Sequence, residues 1–421
     1  MRRAFGVFVL VCAALSSVAP AGAASANDYY FSLQWGLAKI GGPAAWSVSQ
    51  GKGVIVAIVD TGVDLGHPDL RGQLVAGHDF VDNNEQPMDQ NGHGTLMAGI
   101  IAAVTNNMVG VASVAPRARI MPVRVLGKDG TGTATVVAAG ITWAWQHGAS
   151  VINLSLALEA GQNNGPLLKS PQVDGAIKAA AAAGAVVVVA AGNTSTGGRD
   201  QTAYDATVPG VIVVGASAKD GRPAAYSDHG GGLDLLAPGG GSSSNPGAQY
   251  CTQDQAIVST WWNPTTHRSS YGGGCGTSMS VAFTSGVAAL LRARGLDNAG
   301  TVDRIEKTAT DYGAKGRDDL SGWGILNAAR AVGARGTTPA TNSGGSVRAH
   351  PTPTRITAAG SARAVPSSST KKKPSLPTVN AVRPLDIRTS QREAVIAIAA
   401  ALVCVLIAAH AIRAARKPRG S

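Results

Sequence analysis

Residues 54–64 read VIVAIVDTGVD, six apolar residues running without interruption into Asp60. A strand with one wet face alternates apolar and polar side chains, so an unbroken Val/Ile run predicts burial on both faces. Similar runs recur at Ile120–Val125, Val151–Leu156, Ala185–Ala191 and Val211–Val214, separated by helix-length segments at Thr95–Val104, Thr135–His147 and Val173–Ala183. Alternating strands and helices of this kind predict an α/β fold, a largely parallel sheet sandwiched between helices in three layers. In such sheets the reactive groups gather where the strands end at their carboxyl edge. Asp60 stands at one such end, and a carboxylate there needs a hydrogen-bonding or cationic partner.

Length and composition set the frame. The 421 residues are 44% hydrophobic and 14% charged, which excludes a wholly disordered chain. The formal net charge of +11 suggests a nucleic-acid partner until it is located. Residues 27–333 hold 20 basic and 23 acidic side chains, whereas residues 334–421 hold 14 and 2. The folded part is thus nearly neutral, the excess belongs to a tail, and no nucleic-acid partner is expected.

Both ends read as addresses. Arg2 and Arg3 precede an apolar run from Ala4 to Leu15 and then Ala-x-Ala sites ending at Ala23 or Ala26, the pattern of a secretory signal peptide over residues 1–26. Residues 394–412 are 19 positions, apolar except for His410, followed by Arg413, Arg416, Lys417 and Arg419. At about 1.5 Å per residue they span about 28 Å, enough for one C-terminal membrane helix with a basic cytoplasmic tail over 413–421. Between the folded region (27–333) and this anchor, residues 334–393 are rich in Ser, Thr, Pro and Ala and carry Lys371–Lys373, a basic linker. The expected location is the cell membrane, with the folded domain outside and monomeric. Of four cysteines, Cys12 leaves with the signal and Cys404 lies in the anchor; Cys251 and Cys275 remain to pair as a disulfide in an oxidising compartment, the alternative being two buried free thiols.

Two further segments carry chemistry. His93 lies in NGHGTLMAGIIAAV, between glycines and before a helix that would hold its ring at the first turn. Ser278 lies in GGGCGTSMSVAFTSGVAALL, between a glycine-rich stretch and a long apolar helix. Each residue alone reads as structural, a packed histidine and a helix N-cap. Together with Asp60 they change meaning, because a serine hydroxyl becomes nucleophilic when an imidazole takes its proton and a carboxylate holds that imidazole's other nitrogen. Asp, His, Ser is one of the known chain orders of this triad.

The contexts IVDTGVD, NGHGTLMAG and GTSMS, in this order, resemble those of subtilisin-like serine proteases, from about Asn27 to Val332. NDYYFSLQWGLAKI, AAVTNNMVGVASVAP and GRDDLSGWGILNAARAV resemble the thermitase branch. The resemblance implies a largely parallel seven-stranded sheet between helices and a serine endopeptidase acting on polypeptides. It implies that Asn193, after the strand AVVVVAAGN, joins the Ser278 N–H as an oxyanion hole. It implies that Gly130 and Gly132 on one side, and Ser155 and Leu156 on the other, pair with an extended peptide, and that Ala190 to Gly192 wall the pocket for the residue before the scissile bond. It also implies a structural calcium held by Asp28, Asp69, Asn107 and the carbonyls of Val104, Val109 and Val111, with a second, weaker site around Asp79 and Asp82.

The chain departs from the family in places. Ala282 stands where a proline usually follows the serine, and Ala157 and Leu158 stand where glycines are usual. No pro-segment fits between Ala26 and the domain, and residues 240–256 form an insertion that a Cys251–Cys275 bridge would pin near Ser278. The missing pro-segment and the anchor resemble mycosins, proteases of type VII secretion systems. That leaves two alternatives to a general endopeptidase: a mycosin-like processing protease and a catalytically idle surface scaffold.

Overall fold

The computed structural model describes residues 25–156, 170–194, 204, 207–244 and 251–334, together with the backbone of 383–384. The expected signal cleavage region before residue 25, Ala157 and Leu158, and the expected anchor at 394–412 lie outside these residues. No helix among the described residues is long and apolar enough to cross a membrane.

After two short helices, α1 (Trp35–Lys39) and α2 (Gly42–Ala45), the chain enters a seven-stranded sheet. Its strands are β1 (Ile55–Asp60), β2 (His78–Asp79), β3 (Arg119–Arg124), β4 (Val151–Leu154), β5 (Val186–Ala190), β6 (Val211–Ser217) and β7 (Leu235–Pro238), in the spatial order β2-β3-β1-β4-β5-β6-β7. Every pairing is parallel. The five apolar runs therefore form strands, with ends shifted by a few residues, and β2 and β7 complete the edges.

Parallel strands need helical crossovers, which cover both faces. Alternate residues accordingly divide between two apolar layers. Val56 and Ile58 of β1, with Val186 and Val188 of β5, face the layer containing α3 (His93–Ala102) and α6 (Thr277–Arg292). Ala57 and Val59, with Val187 and Val189, face the layer containing α4 (Ala134–Gln146) and α5 (Pro171–Ala182). Helices α4 and α5 are capped by the hydroxyls of Thr133 and Ser170, which accept from Val136 N and Val173 N. Helix α6 is almost wholly buried through Leu291, and it runs unbroken through Ala282, so the absent proline leaves its first turns intact. Helices α7 (Asn298–Thr308) and α8 (Ala328–Val332) close the domain.

The antiparallel pair β8 (Ile257–Asn263) and β9 (Arg268–Gly274) was not anticipated as an element. It packs across α3 and feeds directly into α6. Within the segment expected as linker, Arg383 and Pro384 pair antiparallel with Gly273 and Gly272 on the other edge of β9.

Candidate active site

Three of the expected residues are delivered to one edge by parallel strands that end together. Asp60 closes β1, Ser155 follows β4, and Asn193 follows β5 after Ala191 and Gly192, whose φ of 118° only glycine adopts readily. His93 and Ser278 come from the opposite direction, in the first turns of α3 and α6.

Two glycines let the start of α3 fit closely, Gly94 against the chain that leaves β1 and Gly92 against β8. A Cβ on Gly94 would lie 2.0 Å from the carbonyl oxygen of Gly62, and one on Gly92 would lie 2.5 Å from the Trp261 ring and from the Trp262 carbonyl oxygen. With those atoms absent, His93 Nδ1 reaches Asp60 Oδ1 at 2.8 Å and Oδ2 at 3.0 Å. Asp60 is fully buried, and its Oδ1 also accepts from Thr61 N at 2.7 Å. The His93 side chain is 13% exposed, so one edge of the ring reaches the site. Burial alone would push this imidazole below its ordinary range, but the Asp60 charge, the bond to Asp60 and the Asp89 charge outweigh it and hold the pKa above that range. That favours Nδ1–H donating to Asp60 and leaves Nε2 to accept a proton.

Ser278 Oγ donates to the carbonyl oxygen of Ser155 at 3.3 Å. Among the described residues no hydrogen bond joins it to His93, and the hydroxyl points to the β4 side of the site; a serine–imidazole contact of this kind commonly tightens only with substrate bound. Ser155 also holds the other end of this residue, since its Oγ donates to the Ser278 carbonyl at 3.0 Å and accepts from Asn153 Nδ2 at 2.9 Å.

Asn193 is oriented by a residue the sequence did not single out. Its Oδ1 accepts from Thr277 N at 2.9 Å and from Thr277 Oγ1 at 3.0 Å, which fixes the amide and turns Nδ2 away from Thr277. The Ser278 N–H lies in the first turn of α6, where no helical carbonyl is in reach. Two N–H donors are thus available beside one hydroxyl.

The segments expected to bind peptide flank this group. Thr131 is engaged within its own turn, Gly127 N donating to its carbonyl at 2.9 Å and its N–H donating to Asp129 Oδ1 at 3.0 Å. Gly130 and Gly132 on either side leave their carbonyls, and Gly132 its N–H, without partners among the described residues. Ala190, at the end of β5, and Leu156, just beyond β4, are buried.

The residues expected around calcium also converge. Asp69 Oδ1 accepts from Asn107 Nδ2 at 2.7 Å and Oδ2 from Val111 N at 2.8 Å, and Val104 N donates to the Asp69 carbonyl at 2.8 Å. Asp28 accepts from Asn106 N at 3.0 Å and Asn107 N at 3.4 Å. Both carboxylates are buried, and neither forms an ion pair with a side chain among the described residues. Burial pushes Asp69 up to about 6 against the bonds from Val111 and Asn107. Among the described residues no group of three or more His, Cys, Asp or Glu side chains is placed to hold a metal ion. Two carboxylates beside an amide and a run of carbonyls are nevertheless the oxygen-rich mixture a hard cation takes.

The second calcium site is corrected. Arg124 Nη1 donates to Asp79 Oδ2 at 2.7 Å and to Asp82 Oδ2 at 2.5 Å, with Arg124 and Asp79 both buried. A guanidinium at the end of β3 occupies the place where a cation was expected, and a further positive charge there would be repelled. Cys251 and Cys275 form a disulfide, with Cα atoms 6.1 Å apart, three residues before Ser278.

Comparison with known proteins agrees with this geometry. The model of the subtilase family matches residues 51–324. Thermitase from Thermoactinomyces vulgaris is 41% identical over 299 residues, 69% of this chain and 96% of thermitase. Subtilisin BL from Lederbergia lenta is 34% identical over 305 residues, 72% of this chain and 99% of that protein. A solved protease from Pseudoalteromonas arctica superimposes with a TM-score of 0.64 at 32% identity, covering 74% of this chain and 99% of that one. Fold, strand order and these relatives lead to one conclusion: the chain belongs to the subtilase family and is a subtilisin-like serine endopeptidase.

Proposed function

We propose that this protein is exported, held at the cell membrane by residues 394–412, and cleaves polypeptides outside the membrane through an acyl-enzyme formed on Ser278. The single observation that carries the catalytic reading is the 2.8 Å Asp60–His93 bond at the strand edge that also carries Asn193 and faces Ser278. An extended peptide pairs its backbone with Gly130 and Gly132 on one side and with Ser155 and Leu156 on the other, placing its carbonyl over Ser278. Ser278 Oγ turns from the Ser155 carbonyl and attacks the carbonyl carbon while His93 Nε2 takes the proton. The oxyanion accepts from Ser278 N–H and Asn193 Nδ2. Asp60 stabilises the imidazolium, which then protonates the leaving amine as the C–N bond breaks. Water, deprotonated by His93, releases the acyl group and restores Ser278. Small residues from Ala190 to Gly192 favour a large apolar side chain before the scissile bond.

Asp28, Asp69, Asn107 and the carbonyls of Val104, Val109 and Val111 would hold calcium, which neutralises two buried carboxylates and takes no part in the chemistry. The basic start and apolar run of residues 1–26, and the apolar stretch with its basic flank at 394–419, support the location.

A fluorophosphonate probe tests the mechanism on the full chain in membranes. Wild type should label at Ser278 and S278A should not, with casein digestion lost in parallel. Labelling of the same peptide in S278A would overturn the assignment.

A further inference from the structure

Behind the triad lies a carboxylate that the proposed mechanism does not use. Asp89 is completely buried, in the loop before α3, and no cationic side chain pairs with it among the described residues. Its Oδ1 accepts from Thr61 Oγ1 at 2.9 Å, Asn91 N at 2.9 Å and Gly92 N at 2.8 Å. Its Oδ2 accepts from Thr95 N at 2.9 Å and Thr95 Oγ1 at 2.6 Å.

The neighbours of the two hydroxyls fix the direction of these bonds. Thr61 Oγ1 accepts from Gly94 N at 3.0 Å, and Thr95 Oγ1 accepts from Asp64 N at 2.9 Å, so each hydroxyl directs its proton to Asp89. Five donors converge on two oxygens and no acceptor faces them. The arrangement has no place for a proton on Asp89, which is therefore a buried anion at the positive end of α3. Burial raises its pKa on balance, and the bonds from Gly92, Thr95 and Asn91 hold part of that rise back.

Thr61 makes this anion part of the active site. Its N–H donates to Asp60 Oδ1 at 2.7 Å, while its hydroxyl ties Asp89 to the peptide that follows His93. One residue thus grips both partners of the Asp60–His93 bond, and Asp89 grips that residue.

We propose that Asp89, acting through Thr61, is a positioning residue for the Asp60–His93 pair, and that its charge adds to that of Asp60 in favouring the imidazolium formed during acyl transfer. Few other charges compete for this role. Strand β8, packed on α3, has no ionisable residue, and the only charge on α6 is Arg292 at its far end. Asp64, whose N–H donates to Thr95 Oγ1, has its carboxylate engaged by Ser269 Oγ and Gly66 N; Asp69, in the turn Pro68–Leu70, is engaged by the 104–111 loop, and Arg124 of β3 by Asp79 and Asp82. The charges acting on the ring are those of Asp60 and Asp89.

The proposal rests on the triad reading above, and the two can fail separately, because labelling of Ser278 tests the triad and a pH profile tests Asp89. In D89N the side chain keeps its shape and loses its charge. The acid limb of kcat/KM for a peptide p-nitroanilide should move down by about half to one pH unit, since removing an anion disfavours the imidazolium. T61V, which keeps the amide and removes the hydroxyl link, should lower kcat about tenfold with KM within about twofold, and T61S should restore it. If D89N fails to fold, T61V and T61S still decide whether the link matters. An acid limb that stays in place in a folded, probe-reactive D89N, or a T61V enzyme with wild-type kcat, would overturn the proposal.

Discussion

Replacing Gly94 by alanine adds one carbon where the structure has no room. That Cβ would sit 2.0 Å from the Gly62 carbonyl oxygen and 3.3 Å from Asp60 Cβ, and real Cβ contacts do not fall below 3.0 Å, so the two segments must part by at least 1.0 Å. The Gly62 side cannot yield easily. A Cβ on Gly62 would already meet Pro87 O at 2.6 Å and Asp89 N at 2.9 Å, so its backbone lies tight against residues 87–89. The retreat therefore falls on the first turn of α3, which carries His93. Moving the ring by 1.0 Å stretches a 2.8 Å bond to Asp60 past hydrogen-bonding range. Misplacement on this scale costs about 100-fold in rate, or about 2.7 kcal/mol of barrier, and overpacking adds about 1–3 kcal/mol of destabilisation. Steady-state hydrolysis of a peptide p-nitroanilide, run beside a thermal melt, separates the two effects. The expected G94A enzyme is folded at 25 °C, with kcat reduced about 100-fold and KM little changed. A folded G94A enzyme with wild-type kcat would refute the reasoning, because the close approach would then have no bearing on the Asp60–His93 bond.

Two more outcomes follow from buried charges. Asp69 has a folded pKa of about 6 against an ordinary 3.8, so without a cation the folded state holds its proton more tightly than the unfolded chain does. Stability of the metal-free protein should be greatest below about pH 4 from this group and fall by about 3 kcal/mol as pH rises through 6, whereas calcium should abolish that slope; melting curves in chelator and in calcium check it, and equal slopes would count against the ligand set. Substituting Arg124 with Met strands the buried Asp79 carboxylate and should cost about 3–5 kcal/mol by urea denaturation, with D79N restoring much of it; an R124M protein as stable as wild type would contradict the ion-pair reading.

Much of this architecture is legible in the chain because the decisive strands are buried on both sides. β1 and β5 appear as unbroken Val/Ile runs, and the polar residues that end them, Asp60 and Asn193, are conspicuous against that background. The β8–β9 pair is less visible. RSSYGGG is half-buried and carries neither a continuous apolar run nor a clean alternation, so no period marks it. Asp82 and Asp79 read as calcium ligands because Arg124 is more than forty positions away and meets them only through β2–β3 pairing. Asp89, Thr61 and Thr277 escape for a different reason. Their side chains act on other residues rather than on substrate, and MDQNG, DTG and GTS read as ordinary turns until the hydrogen bonds are known. A signal existed in their positions, since each lies within four residues of a triad member.

His93 and Ser278 open two helices whose buried faces share a single apolar layer, so the packing of that layer helps set the gap between them. Heat that loosens this packing must spread the base from its nucleophile at once, without first freeing a loop. Hydrolytic power and folded mass should therefore vanish along the same temperature curve, and a half-melted population would contain no partly competent enzyme.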